Sequence, residues 1–268
     1  MSGQPNLVEP DRIPEWLRRV AASEPTDSTG TNPILARYAS ADPNARKAAV
    51  LVLVGGDLQS APDGPGGLPL DADVLLTQRA STMRQHRGQV AFPGGGADPE
   101  DGSPVATALR EAEEETGLDP AGVEPIAIWP GIYVPPSRFD VTPVVAYWRS
   151  PSPVSVVDPA EAERVVRVPV RTLIDPGNRF VVRHPLGYRG PAFMVDGMLV
   201  WGFTGGILAG LLAICGWETE WDHHDVRDLE TALEAAGMAD SLVVPPELDS
   251  PSLRGDRSGT AKDRGTRR

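Results

Sequence analysis

Four glutamates stand close together in the run REAEEETGL, which covers residues 110–118. Glu111 and Glu115 are four residues apart and would share one face of a helix, and Glu114 borders that face. Like charges at this spacing destabilise an isolated helix by about 0.2–0.5 kcal/mol per pair. A divalent cation would turn the repulsion into attraction, and carboxylate oxygens suit Mg²⁺ or Mn²⁺. The run alone also permits a second interpretation, an acidic helix face exposed to solvent.

The neighbouring residues predict where this helix begins and ends. Ser103 is a suitable N-cap, and Pro104 fits the first helical position. Gly117 suits the position just past the end. The pattern therefore predicts a helix over residues 104–116. Its apolar stripe, at helical spacing, consists of Val105, Ala108, Leu109 and Ala112.

A second pattern lies upstream of the glutamates. It reads LLTQRA at residues 75–80, then Arg84, Gly88 and FPGG at residues 92–95. Its order and spacing are similar to the motif of the coenzyme A pyrophosphatase branch of the Nudix hydrolase family. REAEEETGL resembles the second half of the Nudix signature, and every fixed position of that half matches. The two patterns together are far more specific than either one.

The resemblance implies a mixed α/β fold, the Nudix α/β/α sandwich, over about residues 45–217. It implies metal-dependent hydrolysis of the coenzyme A diphosphate to 3′,5′-ADP and 4′-phosphopantetheine. Two alternatives stay open: hydrolysis of another nucleoside diphosphate derivative such as ADP-ribose, and a non-catalytic nucleotide-binding sensor. The predicted catalytic residues are Arg110, which orients a carboxylate, and Glu111, Glu114 and Glu115, which hold Mg²⁺ or Mn²⁺ or supply the general base.

Arginines and glycines of the upstream pattern are the predicted substrate-binding residues. Arg79 and Arg84 can each bind phosphate through a guanidinium fork; the less favoured interpretation is that either is a surface residue. Gly94 and Gly95 permit close approach of the backbone to a ligand. His86 lies in the same loop, where it either hydrogen-bonds substrate or is solvated.

The chain departs from the full Nudix signature at one position. Gly102 stands where the family has a glutamate, and the nearby Asp98 and Asp101 are the candidates for its role. Glu161 lies in a segment similar to a Glu-Val…Val-Pro-Leu stretch of the family. A catalytic or supporting role for Glu161 is therefore a further hypothesis.

Composition excludes some classes of function. The net charge is -12 and the pI about 4.8, which argues against nucleic-acid binding and favours a small-molecule substrate met by local arginines or metal. The single cysteine, Cys215, rules out an intramolecular disulfide, and no secretory pattern opens the chain, so we expect a cytoplasmic protein. A hairpin signal at Asp196-Gly197 precedes the uncharged run 199–217, and five glycines interrupt the run, which argues against a membrane span. A homodimer is possible, but the sequence does not reveal the oligomeric state.

The element pattern, together with the domain bounds that the resemblance implies, predicts four segments. They are an N-terminal extension with one helix at 1–44, the Nudix domain at 45–217, a C-terminal helix within 218–244 and a disordered tail at 245–268. An irregular loop is expected at 80–102, a hairpin turn at Asp196-Gly197, and helices at 14–22, 204–214 and 225–236. Pro130 and Pro143 should confine their strands to edges or ends of a sheet. Strands are predicted at 48–54, 74–77, 126–133, 141–148, 165–168 and 180–182.

Overall fold

The computed structural model describes residues 7–22, 32–35, 44–82, 88–134, 137–184 and 187–241. Its larger, mixed sheet contains β1 Arg46–Gly55, β2 Asp73–Arg79, β3 Val90–Ala91, β4 Gly94–Gly96, β5 Val123–Ile128, β6 Ile132–Val134, β7 Phe139–Trp148 and β8 Ala162–Pro169. A second sheet contains β9 Arg179–Arg183, β10 Arg189–Val195, β11 Met198–Val200 and β12 Val226–Asp228. The helices are α1 Arg19–Ala22, α2 Pro104–Thr116, α3 Val170–Ile174, α4 Gly202–Cys215 and α5 Leu229–Ala235.

Strand β1 is a continuous apolar run because both of its faces are covered. Leu51 and Leu53 pack in a smaller core with Ala108 and Ala112 of α2. Val52 and Val54 point the other way, into a larger core that includes residues of α4, the second sheet and the N-terminal segment. Alternate residues of one strand thus serve two cores. The mixed α/β fold predicted from the sequence is confirmed.

Helix α2 begins and ends at the predicted residues. The Ser103 hydroxyl oxygen accepts the backbone N–H of Ala106 at 3.2 Å, which caps the first turn. Gly117 closes the last turn with φ of 70°, a left-handed conformation that favours glycine. These local signals fix the spacing of the glutamates on the helix surface.

The prediction that Pro143 confines its strand to an edge is wrong, because β7 lies between β1 and β5. Strand β5 pairs with β7 only as far as Val144, and β6 resumes the pairing at Val141. Pro143 faces the gap between them, so its missing N–H interrupts no ladder, while its carbonyl accepts the N–H of Trp129 at 2.9 Å. The predicted strand 126–133 is divided by the same gap. The predicted loop 80–102 contains β3 and β4.

The predicted hairpin is confirmed, and the predicted last helix is corrected. Asp196 and Gly197 have φ of 49° and 72°, as a type I′ turn requires, and Val195 pairs with Met198. The predicted last helix includes residues 225–228, but residues 226–228 form β12, which pairs in parallel with β9. Val226 is 37% exposed rather than on the buried helix face. Sheet pairing supplies these residues with hydrogen bonds that helix periodicity alone did not predict.

The described parts of both termini pack into the larger core. Trp16 and Leu17 from the N-terminal segment, and Leu233 and Met238 from the C-terminal segment, are buried there. None of the helices formed by the described residues has the length and apolar character of a bilayer span. The tail 245–268 lies outside the described residues.

Candidate active site

Glu115, in the last turn of α2, is the most perturbed carboxylate of this helix. Burial, the largest cause, together with the charges of Glu111 and Glu161 raises the pKa of Glu115 to about 7. The Gly94 backbone N–H, which donates to Glu115 Oε2 at 3.2 Å, and the nearby Arg79 act in the opposite direction but do not compensate. Burial and the neighbouring acids therefore disfavour the ionised form of Glu115 more than its protein partners favour it.

The glycines of β4 let the backbone lie directly against β1 and α2. A Cβ at Gly95 would lie 2.4 Å from Glu111 Oε2, and one at Gly94 would lie 2.4 Å from the Ala49 carbonyl oxygen. Gly94 also has φ of 156°, where side chains are strained. Both glycines thus make room for the protein's own groups, a role that the sequence did not predict. Their role in substrate binding stays a prediction.

Arg110 joins the loop before α2 to the carboxylates of the helix. Its Nε and Nη2 donate to the two oxygens of Asp101 at 2.9 and 3.0 Å, and Nη2 also donates to the Gly96 carbonyl at 3.0 Å. Its Nη1 donates to Glu111 at 3.1 Å and to Glu114 at 2.9 Å. The predicted orienting function of Arg110 therefore has a geometric basis: it fixes the Glu111 carboxylate beside Gly95.

Asp101 is adjacent to Gly102, the position at which this chain lacks the glutamate of the signature. Its side chain is 7% exposed and accepts the Thr107 hydroxyl at 2.8 Å and the Asp98 N–H at 2.9 Å. The hydrogen bond from Arg110 holds the pKa of Asp101 well below its usual range. Gly102 has φ of 66°, a left-handed turn that favours glycine. Asp98 is 61% exposed and 3.6 Å from Arg110, a weaker contact.

Arg79 and Glu161 approach Glu115 from the end of β2 and the start of β8. The pairing of β2 with β8 shifts between Gln78 and Arg79, and such a bulge redirects side chains. The Glu161 carbonyl accepts the Ala80 N–H at 2.9 Å, which places Glu161 beside this shift. The buried Nε of Arg79 has no hydrogen-bond partner in the described part of the chain. Arg84 and His86 lie outside the described residues.

Comparison with known proteins agrees with this arrangement. Residues 62–183 match the NUDIX domain. The uncharacterized Nudix hydrolase NudL of Escherichia coli O7:K1 is 39% identical over 145 residues, covering 52% of this chain and 72% of that protein. NudL of Shigella boydii serotype 18 is 38% identical with the same coverage. The chain belongs to the Nudix hydrolase family.

Solved Nudix structures are also similar to this chain. A Nudix hydrolase from M. smegmatis, RenU, shows 26% identity and a TM-score of 0.32, covering 46% of this chain and 71% of that one. A Nudix hydrolase from Alicyclobacillus acidocaldarius shows 19% identity and a TM-score of 0.40, covering 65% and 93%. TM-scores this low carry no argument about the site. Family membership itself makes the protein a hydrolase of nucleoside diphosphate derivatives, acting on the diphosphate bond.

The Nudix helix α2 presents donors that fit a hard divalent cation. Glu111 and Glu115 supply only carboxylate oxygens, and burial raises the pKa of Glu111 as it does that of Glu115. Within the described ranges, no three histidine, cysteine or acidic side chains converge closely enough to hold an ion by themselves. Mg²⁺, however, is commonly bound by one or two carboxylates together with waters and substrate phosphates. The Nudix site thus has a carboxylate pair suited to that mode of binding.

Glu114 differs from the other two glutamates of the Nudix helix. Its side chain is 59% exposed and ion-pairs with Arg110, four residues earlier. Its predicted role as a metal ligand stays a prediction, since the described contacts give it a surface pairing instead.

Proposed function

We propose that the protein hydrolyses the diphosphate of coenzyme A or its derivatives, with Mg²⁺ or Mn²⁺, to 3′,5′-ADP and 4′-phosphopantetheine. The observation that carries the proposal is the run 75–95, whose order matches the coenzyme A branch. Two interactions connect this run with the carboxylates of the Nudix helix. The Gly94 N–H donates to Glu115, and the charge of Arg79 lowers the pKa of the same carboxylate.

Each residue of the site has a different role in the proposed hydrolysis. Arg79 binds a diphosphate oxygen. Its buried Nε has no hydrogen-bond partner among the described residues. Glu111 and Glu115 hold the cation. When bound, a divalent ion polarises the phosphoryl oxygens and lowers the pKa of a ligated water. We assign to Glu161 the role of accepting the proton that the attacking water loses; its exposure and its influence on the pKa of Glu115 support this assignment.

Coenzyme A carries a 3′-phosphate that ADP-ribose lacks, and a second arginine suits that extra charge. Arg79 and Arg84 of the run provide two guanidinium groups, and phosphate binding by arginine is commonly bidentate. This pairing of two arginines favours coenzyme A over ADP-ribose as the substrate.

A substrate panel with product identification tests the proposal. Purified protein with Mg²⁺ or Mn²⁺ would be given coenzyme A, dephospho-coenzyme A and ADP-ribose, and products identified by mass spectrometry. We expect the highest kcat/KM for coenzyme A and equimolar 3′,5′-ADP and 4′-phosphopantetheine. Preferred hydrolysis of ADP-ribose, with coenzyme A untouched, would replace this proposal with the ADP-ribose alternative. Chelation by EDTA is the control for metal dependence.

A further inference from the structure

The end of β2 presents consecutive residues to opposite faces of the sheet. Arg79 faces the Nudix helix, where its charge lowers the pKa of Glu115. Gln78 faces the other side, where it lines a cavity together with Met238 of the larger core. Side chains of neighbouring strand residues alternate in this way. Arg79, the residue proposed to hold the diphosphate, is therefore the sequence neighbour of a residue that lines a second cavity.

This chamber, here called the Gln78 cavity, has a volume of about 330 Å³. It lies between β2, β8, the hairpin turn at Gly197 and the C-terminal segment 236–241. No residue of α2 lines it, so it is separate from the carboxylates of the Nudix helix. Its polar and sulfur-bearing lining residues are Gln78, Ser81, Glu163, Arg164, Met238 and Ser241.

Gln78 carries an unmet hydrogen-bond acceptor at this cavity. The residue is only 8% exposed, and its Oε1 is buried with no donor among the described residues. Its Nε2 donates to the Gly88 carbonyl at 3.5 Å, the long limit of a hydrogen bond. Buried side-chain oxygens of folded proteins usually have a partner, and one that lacks it requires an explanation. An N–H group of a ligand in the cavity would supply that partner.

The charge of the cavity indicates what kind of ligand it takes. Glu163 and Arg164 contribute one negative and one positive charge, and Arg164 Nη1 already donates to the Asp196 carbonyl at 3.2 Å. A phosphate would meet no excess of positive charge here. A neutral chain with amide N–H donors, amide carbonyls and hydroxyls matches the lining much better.

We propose that the Gln78 cavity binds the pantetheine arm of the substrate, with an arm amide N–H donating to Gln78 Oε1. This inference rests on the proposed function, because coenzyme A carries this arm and ADP-ribose does not. The arm is uncharged along its two amides and its hydroxyl. With the diphosphate at Arg79, the arm passes the end of β2 and enters the cavity from the side of Ser81.

Binding of the two halves of coenzyme A tests the assignment without requiring turnover. Isothermal titration would measure the Kd of pantetheine and of adenosine 3′,5′-bisphosphate for wild type, Gln78→Leu and Ser81→Trp. Gln78→Leu keeps the side-chain size but removes the acceptor, and should raise the pantetheine Kd about three- to tenfold. Ser81→Trp, at an exposed position, should raise it at least as much by filling the entrance. Neither variant should change the Kd of the bisphosphate.

Ser150→Trp is the matched control, because Ser150 is exposed and lies outside the cavity lining. Circular dichroism establishes that each variant is folded. A pantetheine Kd unchanged in both cavity variants, or raised equally by Ser150→Trp, would overturn the assignment. A pantetheine Kd that depends on Gln78, in a protein that leaves coenzyme A intact, would refute the proposed function and retain the cavity. Hydrolysis of coenzyme A with no such dependence would do the reverse.

Discussion

Two carboxylates at opposite ends of the Nudix helix have opposite electrostatic environments. Asp101, just before the helix, accepts two hydrogen bonds from the Nε–Nη2 edge of the Arg110 guanidinium, and its pKa is lowered. Glu115, in the last turn, is buried beside other acids, and its pKa is raised to about 7. The charge of Asp101 is balanced within the protein, whereas that of Glu115 is not. The environment of an acid, rather than its residue type, therefore decides whether its pKa falls, as for Asp101, or rises, as for Glu115.

The largest effect on kcat should follow loss of the negative charge of Glu115 or Glu111. Glu115→Gln or Glu111→Gln should lower kcat by about 10²-fold or more, since each removes an anionic ligand and with it the electrostatic stabilisation that the cation supplies. Steady-state kinetics with Mg²⁺, alongside circular dichroism, measures this loss in a folded protein. Glu113→Gln, on an exposed position of the same helix, is the matched control. Near-normal turnover in either variant would remove that residue from the set of ligands.

Loss of the Asp101 charge, which Arg110 balances, should have a smaller effect on kcat. Asp101→Asn keeps the shape but weakens the fork with Arg110, which positions Glu111, so kcat should fall about 10- to 100-fold, as for residues that orient metal ligands. Asp98→Asn should change little, because Asp98 is 61% exposed and 3.6 Å from Arg110. The readout is the concentration of Mg²⁺ at half-maximal activity, which should rise in Asp101→Asn. An equal effect of the two substitutions would contradict the assignment of Asp101 to the missing signature position.

Local signals were enough to predict much of the fold. Ser103 and Gly117 fixed the bounds of α2, and Asp196-Gly197 fixed the hairpin, because each acts through its own backbone conformation. The place of Pro143 in a central strand could not be predicted. It depends on a gap between β5 and β6, and that gap exists only once three strands have assembled.

The candidate site was predicted to a similar extent. The spacing of Glu111 and Glu115 placed both on one helix face, but the order of the chain did not reveal which acid binds Arg110. Gly102 was the available signal: it forms a left-handed turn, and the adjacent Asp101 is the acid that binds Arg110. Gln78 gave no signal at all, since an unpaired amide in a buried strand becomes visible only when its neighbours are placed.

Arg79 should matter less than the carboxylates and should depend on the substrate. Arg79→Ala removes a charged hydrogen bond to phosphate, a loss of about 1.5–3 kcal/mol, or roughly ten- to a hundredfold in kcat/KM. Kinetics with coenzyme A and dephospho-coenzyme A would show which phosphate it contacts. If Arg79 binds the 3′-phosphate, the ratio of the two kcat/KM values falls. If it binds the diphosphate, both decline together, and Arg84→Ala should then change the ratio. A constant ratio in both variants would exclude both arginines as 3′-phosphate ligands.

The smallest effect concerns stability and the sign of its pH dependence. In the metal-free fold Glu115 keeps its proton up to a pKa of about 7, against an ordinary 4.5. Between these values the folded protein binds more protons than the unfolded chain, so this residue's contribution to stability falls as pH rises through the window. Above pH 7 the ionised, buried Glu115 costs up to about 3 kcal/mol, and Glu115→Gln removes that cost. At roughly 2–4 °C for each kcal/mol, the variant should melt several degrees above wild type at pH 8. Below about pH 4.5 the difference should vanish, since Glu115 is then neutral in both states.

Mg²⁺ should raise the melting temperature of wild type at pH 8 more than that of the variant, because the ion stabilises the ionised carboxylate. Parallel melting profiles for the two proteins from pH 5 to 8 would mean that the charge of Glu115 is balanced after all, as that of Asp101 is.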